Sequence, residues 1–214
     1  MTAASTYHEV HLTEHPARAA VWQTIAEYLS PWIPAEARVL EIGAGHCHWI
    51  NAVRAPYRLA VDVWPDVGRF VAPGVEVRVL DVSRDLATLP AGSFDGVLAS
   101  NVLEHFEPDT ASHVVAGIFT LLKPGGRVFI VQPNFRYAYR SYFDDYTHRS
   151  VFTDVSLANM LRSHGFRVER SMPRFLPYSM RDVRARVPPW LVRAYLRSPF
   201  KPRAGQMLLI ASRP

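Results

Sequence analysis

Apolar positions along the chain switch between two periods. Residues 14–30 place Ala19, Ala20, Trp22, Ile25, Ala26 and Leu29 at helical spacing. With Thr13 as a candidate cap and Pro16 in the first turn, they predict a helix. A short, nearly all-apolar run, Val39–Ile42, then ends in glycines. Similar runs follow at Tyr57–Val63, Val75–Leu80 and Phe94–Ala99, the last entered through Pro90-Ala91-Gly92-Ser93. Short continuous runs bounded by turn residues read as buried strands. A helical stretch over about 109–122 stops at Lys123-Pro124-Gly125-Gly126 and feeds a fifth strand, Arg127–Gln132. Residues 133–152 have no clear period and read as one long loop, which in a compact domain is usually functional. Thr153 caps a further helix that ends at Gly165, and Phe166–Arg170 and Gln206–Ala211 read as the last two strands. Seven strands with helices between the first five predict a single doubly wound α/β domain over residues 1–214, mostly parallel, with helices on both faces. Ligands of such domains sit at the carboxyl ends of the strands, near the switch point.

Composition narrows the class. A chain of 214 residues, 49% hydrophobic and 20% charged, can bury a proper core. No apolar run approaches the ~20 residues that span a bilayer, and the first twenty residues show no apolar signal segment. The single cysteine, Cys47, excludes a disulfide framework and fits a reducing compartment. The expectation is a cytoplasmic protein, with peripheral contact at the inner membrane face left open. A formal charge of +5 invites a nucleic-acid partner. Residues 172–205, however, hold seven Arg and one Lys against Asp182 alone, so this arm carries +7 and the remaining chain nets −2. The basicity belongs to an arm inserted before the last strand, which weakens the nucleic-acid reading.

The first strand runs into Glu41-Ile42-Gly43-Ala44-Gly45-His46-Cys47-His48. Glycines between a strand and a helix let backbone N–H groups approach a ligand. A dinucleotide fingerprint would need a third glycine where His48 stands, which counts against a nicotinamide or flavin cofactor. His46, Cys47 and His48 invite a metal reading, but adjacent residues on a tight loop point apart and structural zinc sites bring two spaced pairs. His8, His11 and His15 read as solvated or capping residues, so no metal is expected.

Around the glycines, Glu41 precedes the loop, Asp62 ends the second strand with Val63 and Trp64 after it, and Leu80-Asp81-Val82 ends the third. A carboxylate at Asp62 can accept hydrogen bonds from two ribose hydroxyls. Trp64 is placed to cover an adenine face, and Asp81 with its adjacent backbone to meet an adenine edge. VLEIGAG (39–45), LAVDV (59–63), LDVSRD (80–85), FDGVLASNVLEHF (94–106) and LLKPGGRVFIVQPN (121–134) together resemble the class I S-adenosylmethionine-dependent methyltransferases, in that family's order and spacing. The resemblance covers about 37–134 and extends through the later strands. It implies a seven-stranded Rossmann-like sheet with one antiparallel strand near its edge, and S-adenosylmethionine (SAM) as cofactor. Gly43, Ala44 and Gly45 would line the methionine moiety, with Glu41 supporting that loop. Asp62, with Val63 and Trp64, would hold the ribose and adenine side, Asp81 and Val82 the adenine, and Asn101 would lie near the amino-acid end.

Enzymes of this fold that methylate nucleic-acid amines carry an Asn/Asp-Pro-Pro-aromatic motif after the fourth strand, where this chain has Ser100-Asn101-Val102-Leu103-Glu104-His105. SNVLEHF resembles instead the branch acting on small molecules, lipids and sugars. Residues 135–152 place seven aromatics among charged groups, an expected roof for a saccharide or another polyhydroxylated or aromatic acceptor. Tyr137, Tyr142, Asp144, Tyr146 and Arg149 are its candidate acceptor contacts. A sulfonium donor is already activated, so the protein mainly aligns an in-line displacement and takes the proton of a hydroxyl acceptor. His148 is the first candidate base, Asp145 its partner or substitute, and His105 the competitor. The stretches PNFRYAYRSYFDDYTHR (133–149), PRFLPYSM (173–180) and PPWLVRAYLRSPF (188–200) resemble bacterial methyltransferases found among glycan-assembly enzymes, which implies a saccharide or lipid-linked saccharide acceptor. A short helix over 188–200, with Trp190, Leu191, Ala194 and Tyr195 on one face, leaves three roles open: a membrane interface, a homodimer or core contact, or contact with an anionic acceptor.

Overall fold

The computed structural model describes residues 16–178 and 187–214. The expected cap Thr13 and His8, His11 and His15 lie outside the described residues. The elements are helix α1 (Pro16–Leu29), strand β1 (Arg38–Ile42), helix α2 (His48–Ala52), strands β2 (Tyr57–Asp62), β3 (Val75–Val79) and β4 (Phe94–Ser100), and helix α3 (Pro108–Leu121). Strand β5 (Leu122–Pro133), helices α4 (Phe135–Ala138) and α5 (Asp154–Ser163), strand β6 (Arg167–Pro177), helix α6 (Pro189–Arg197) and strand β7 (Ala204–Ser212) follow.

The sheet runs β3-β2-β1-β4-β5-β7-β6. Its first five strands are parallel, while β7 lies antiparallel to both β5 and β6. Strand order reverses direction between β1 and β4, so the crevice for a ligand opens above their carboxyl ends. Period-two alternation sends neighbours to opposite faces. Leu40, Ile42, Val97 and Ile130 pack under Val114 and Ile118 of α3 and Leu157 and Leu161 of α5. Val39, Leu98, Phe129 and Ile210 pack under Ile25 and Leu29 of α1, Trp49 of α2, and Val192 and Leu196 of α6. Both faces are therefore covered, which is why the central strands are mostly apolar.

Four details correct the sequence reading. The β2–β3 and β3–β4 connections are 3-10 turns, Pro65–Arg69 and Leu86–Thr88, where helices were expected. Edge strand β3 buries little of itself, with Val79 56% exposed, so it offers a helix scant apolar surface to cover. Strand β5 starts at Leu122, taking in the glycine turn, with an irregular register between Phe94 and Gly96 of β4. Strand β6 continues through Pro173 to Pro177, because an edge strand tolerates residues without an N–H. The first part of the expected arm over 172–205 is thus strand, and the insertion proper lies between Pro177 and Ala204. Finally, the long loop over 133–152 contains α4 and a 3-10 turn at Tyr142–Asp144.

Candidate active site

Above the β1–β4 switch point the glycine loop is shaped by its neighbours as much as by any ligand. Gly43 has φ +65, and a Cβ there would lie 2.5 Å from Val102 Cγ2, in the segment after β4. Only glycine fits both the left-handed backbone and that approach. The Ala44 N–H donates to the Val61 carbonyl, and the Gly45 N–H to Asp62 Oδ2 at 2.7 Å. Asp62 Oδ1 accepts the Trp64 N–H at 2.9 Å, so this buried carboxylate joins the glycine loop to the end of β2. Those bonds occupy two of about four acceptor positions on a carboxylate.

Glu41, 4% exposed, accepts the Ile50 N–H at 2.9 Å through Oε2. It satisfies one orphan donor in the first turn of α2, whose own cap residue Cys47 is left-handed and gives no side-chain cap. Burial pushes the Glu41 carboxyl up to about 8, the Ile50 N–H pulling against it and nearby Asp62 adding to it. Cys47 is fully buried, its thiol directed to the Gly45 and Val67 carbonyls, and burial followed by Glu41 and Asp62 pushes that thiol far up. Burial, with His46 and Arg18, drives His48 down to about 4, keeping it neutral.

Trp64 is buried, its ring 5.0 Å from Phe70 and 5.7 Å from His46, in a packed aromatic cluster. Val63, 48% exposed, is the apolar side chain presented at the β2 end, where Trp64 was expected to cover an adenine. Asp81 spends its carboxylate on its own turn: Oδ1 accepts the Ser83 N–H and hydroxyl, and Oδ2 pairs with Arg84 at 3.1 Å. Burial opposes ionisation of Asp81, but those partners outweigh it and hold the carboxyl below its ordinary range. The Val82 N–H makes no hydrogen bond among the described residues and stands at the β3 end. Asn101 adopts φ +52, a left-handed geometry that asparagine tolerates, and its Oδ1 accepts Gln206 Nε2 at 3.2 Å. A tight glycine loop, an exposed apolar residue beside a buried acid, and an amide without a partner among the described residues could hold the nucleoside and amino-acid parts of SAM.

The second half of the site is assembled by the long loop. The Arg149 and Ser150 N–H groups donate to the Glu104 carbonyl, and Ser150 Oγ to the Phe106 carbonyl, pinning residues 142–152 onto the turn Leu103–His105. Three expected catalytic residues meet here. The Thr147 hydroxyl donates to Asp145 Oδ1 at 2.6 Å, so its oxygen accepts from His105 Nδ1 at 2.9 Å. His148 Nδ1 can only donate to the Tyr142 carbonyl, 2.6 Å away. In their neutral forms, both imidazoles would carry the proton on Nδ1 in this network. Their ring centroids are 5.0 Å apart. Burial pushes the Asp145 carboxyl up, but the Thr147 hydroxyl and amide, then His105 and His148, outweigh it and lower it overall.

Two buried residues here escaped the sequence reading. Glu104 is 0% exposed and neither carboxyl oxygen has a hydrogen-bond partner among the described residues. Burial pushes it up to about 8, against its own backbone N–H and with Asp145 adding. The Gln132 amide is equally buried and unpartnered among the described residues. An acid among the apolar residues Val102, Leu103 and Phe106 was the available signal. Ligand atoms of Glu104, His105 and His148 lie within 4.8 Å of one another, a donor set a divalent cation could bridge, whereas the sequence reading weighed the His46-Cys47-His48 run and the N-terminal histidines for that role.

The roof residues divide. Tyr142 is fully buried, its hydroxyl donating to the Ser150 carbonyl, and it anchors the loop where an acceptor contact was expected. Its ring lies 5.3 Å from Phe135 and 4.6 Å from His148, a packing role that aromatic composition alone cannot reveal. Tyr137, Asp144, Tyr146 and Arg149 are exposed, as are Tyr139 and Phe143. No described helix is long and apolar enough to cross a membrane.

A family model described as a methyltransferase domain matches residues 14–171. A ubiquinone biosynthesis O-methyltransferase from Xanthomonas axonopodis pv. citri (strain 306) is 36% identical over 114 residues, 49% of this chain and 46% of the relative. The protein of that description from Xylella fastidiosa (strain 9a5c) is 34% identical over 114 residues, 49% of this chain and 45% of its own. The chain thus spans about half the length of the curated relatives it matches. Among solved structures, a SAM-dependent methyltransferase from Archaeoglobus fulgidus superposes with a TM-score of 0.70 at 20% identity, covering 99% of this chain and 100% of that one. A 1,6-didemethyltoxoflavin-N1-methyltransferase from Burkholderia thailandensis, with S-adenosylhomocysteine bound, superposes at 0.60 with 23% identity, covering 98% and 84%. Those two establish the shared fold.

Proposed function

The chain belongs to the methyltransferase-domain family and is a SAM-dependent methyltransferase, and from that premise we propose that it methylates a hydroxyl of a small ring-bearing acceptor with His105 as general base. The observation that carries this reading is the chain Asp145–Thr147–His105, which fixes the imidazole tautomer and supports the imidazolium formed when Nε2 takes a proton. His105 lies three residues beyond Val102, whose side chain closes on Gly43, which supports a base near the cofactor end of the crevice. His148, first on the sequence reading, donates from Nδ1 to a backbone carbonyl of its own loop, whereas His105 meets the Thr147–Asp145 pair, and we assign His148 to holding the loop and the His105 ring. SAM would supply the methyl group, with S-adenosylhomocysteine as the leaving group. Gly43, Ala44 and Gly45 line its amino-acid part, with Asn101 nearby. Asp62 accepts from ribose, and Val63 and Val82 meet the adenine.

For the acceptor, exposed Tyr137, Tyr139, Phe143 and Tyr146 suit an aromatic or saccharide ring, and the O-methyltransferase relatives favour oxygen over nitrogen. A tritiated-methyl assay against small phenols, catechols and saccharides, with mass spectrometry of the product, tests the reading. Label on an amine, or none on any hydroxyl, would sink it.

We assign peripheral contact with an anionic membrane face to Trp190, Leu191 and Phe200, which are 66%, 45% and 74% exposed, while Val192 and Leu196 hold α6 to the body. A Trp190→Ser/Leu191→Ser variant should lose co-sedimentation with anionic vesicles. Unchanged sedimentation would remove the assignment.

A further inference from the structure

Two adjoining hollows share the roof residue Tyr137 and the β6 residue Arg174. The first, about 370 Å³, is lined by Tyr137, Arg140, Arg174, Tyr178, Arg203 and Gly205 among others. The second, about 900 Å³, shares Tyr137 and Arg174 with it and continues past Arg170 and Arg197 toward Trp32. The five arginines Arg140, Arg170, Arg174, Arg197 and Arg203 are all exposed, and none makes an ion pair among the described residues. The acid among the described lining residues, Glu27, is already paired with Arg193 at 2.9 Å. Guanidinium groups in a concave, acid-poor wall form the footprint of a phosphate or other oxyanion.

Three further observations give the hollow an orientation. Arg174 is held by a hydrogen bond to the Lys201 carbonyl at 2.9 Å, and its guanidinium stacks over Tyr137, 5.3 Å from the ring centroid. Arg203 sits at φ +55, a left-handed conformation that costs a residue with a Cβ and presents its side chain at the mouth. Gly205, in the floor, precedes Gln206, which bonds both the Tyr178 carbonyl and Asn101. Gln206 therefore links the wall of the hollow at Tyr178 to Asn101 after β4, the residue assigned above to the cofactor's amino-acid end.

We propose that this arginine-lined hollow binds a phosphate or diphosphate group of the acceptor, holding it while the acceptor's ring reaches the roof. The inference rests on the methyltransferase reading above and specifies its acceptor as anionic at one end. Inorganic pyrophosphate is the probe. Calorimetry on the full chain should show saturable, salt-sensitive pyrophosphate binding, weakened about 10- to 100-fold in both Arg203→Gly and Arg174→Gln. Glycine suits the backbone at 203, so the first variant removes charge without straining the fold. SAM affinity, titrated in parallel, reports separately: loss of SAM binding in the wild-type chain speaks against the cofactor site, not the hollow. Pyrophosphate binding that is absent, or unchanged in both variants, overturns the proposal. So does binding to phosphatidylglycerol vesicles that is lost in both variants while free pyrophosphate binds neither them nor the wild type.

Discussion

Each half of the site holds one buried glutamate, and burial pushes both up to about 8, yet their surroundings differ in kind. Glu41, on the cofactor side, has a backbone N–H from α2 nine residues away and lies in a strand whose neighbours are all parallel strands. Glu104, on the acceptor side, lies under a loop from more than forty residues further on and has no hydrogen bond to either carboxyl oxygen among the described residues. The acids of the cofactor half, Glu41 and Asp62, are held by backbone N–H groups nine and seventeen residues away. The buried acid of the acceptor half is covered by a distant loop that leaves its carboxyl oxygens without a hydrogen-bond partner among the described residues. Rigid architecture goes with the common ligand, and unsatisfied chemistry with the specific one.

The sharpest way to break this comparison is to attack one half and watch the other. His105→Ala should lower kcat by roughly 10²–10⁴ and leave the SAM Kd unmoved, since general-base assistance is lost and the glycine loop is untouched. Thr147→Val should give a smaller loss and move the acid limb of the pH–rate profile, because it disconnects His105 from Asp145. His148→Ala serves as the control: a fall in turnover matching that of His105→Ala would return the base assignment to His148. Conversely, Asp62→Ala removes an acceptor from two backbone N–H groups and should weaken SAM binding roughly 100-fold or more. Unaltered affinity by calorimetry would refute the cofactor site.

A subtler test uses pH. Glu41 keeps its proton when folded until about 8, whereas unfolded it releases it near 4.5. Between those values the native state binds more protons than the unfolded chain, so this group's contribution is full below about 4.5, declines as pH rises, and is lost by about 8. Thermal denaturation of Glu41→Gln across this window should show a shallower loss of stability with rising pH than the wild type, and parallel curves would contradict the assignment. The smallest expected effect is at the periphery. Arg193→Ala breaks an ion pair to Glu27 whose side chains are 47% and 45% exposed, and should cost under about 1 kcal/mol.

The same contrast explains what was legible in the sequence. Strands β1, β2 and β4 announce themselves because burial on both faces demands continuous apolar runs, and Glu41, Gly43 and Asp62 stand at their ends. Pro173 and Pro177 conceal the length of β6, because local breakers say nothing about edge position. Tyr142 and Tyr146 look alike on paper, yet one is fully buried and the other 75% exposed, since depth within an aromatic-rich loop is settled only by tertiary packing. His105 and Asp145 could be nominated singly, but their connection through Thr147 spans forty-two positions and has no local signature.

The lone thiol offers a practical consequence. Cys47 is sealed under the glycine loop, with its proton held tightly by burial and two acids, so alkylating reagents meet neither a thiolate nor an opening in the closed protein. Its labelling rate then becomes a stopwatch for the loop: each modification event records an excursion in which the β1–α2 connection has come away from Asp62. A ligand that occupies the crevice should slow that clock, which turns one inert sulfur into a built-in gauge of occupancy.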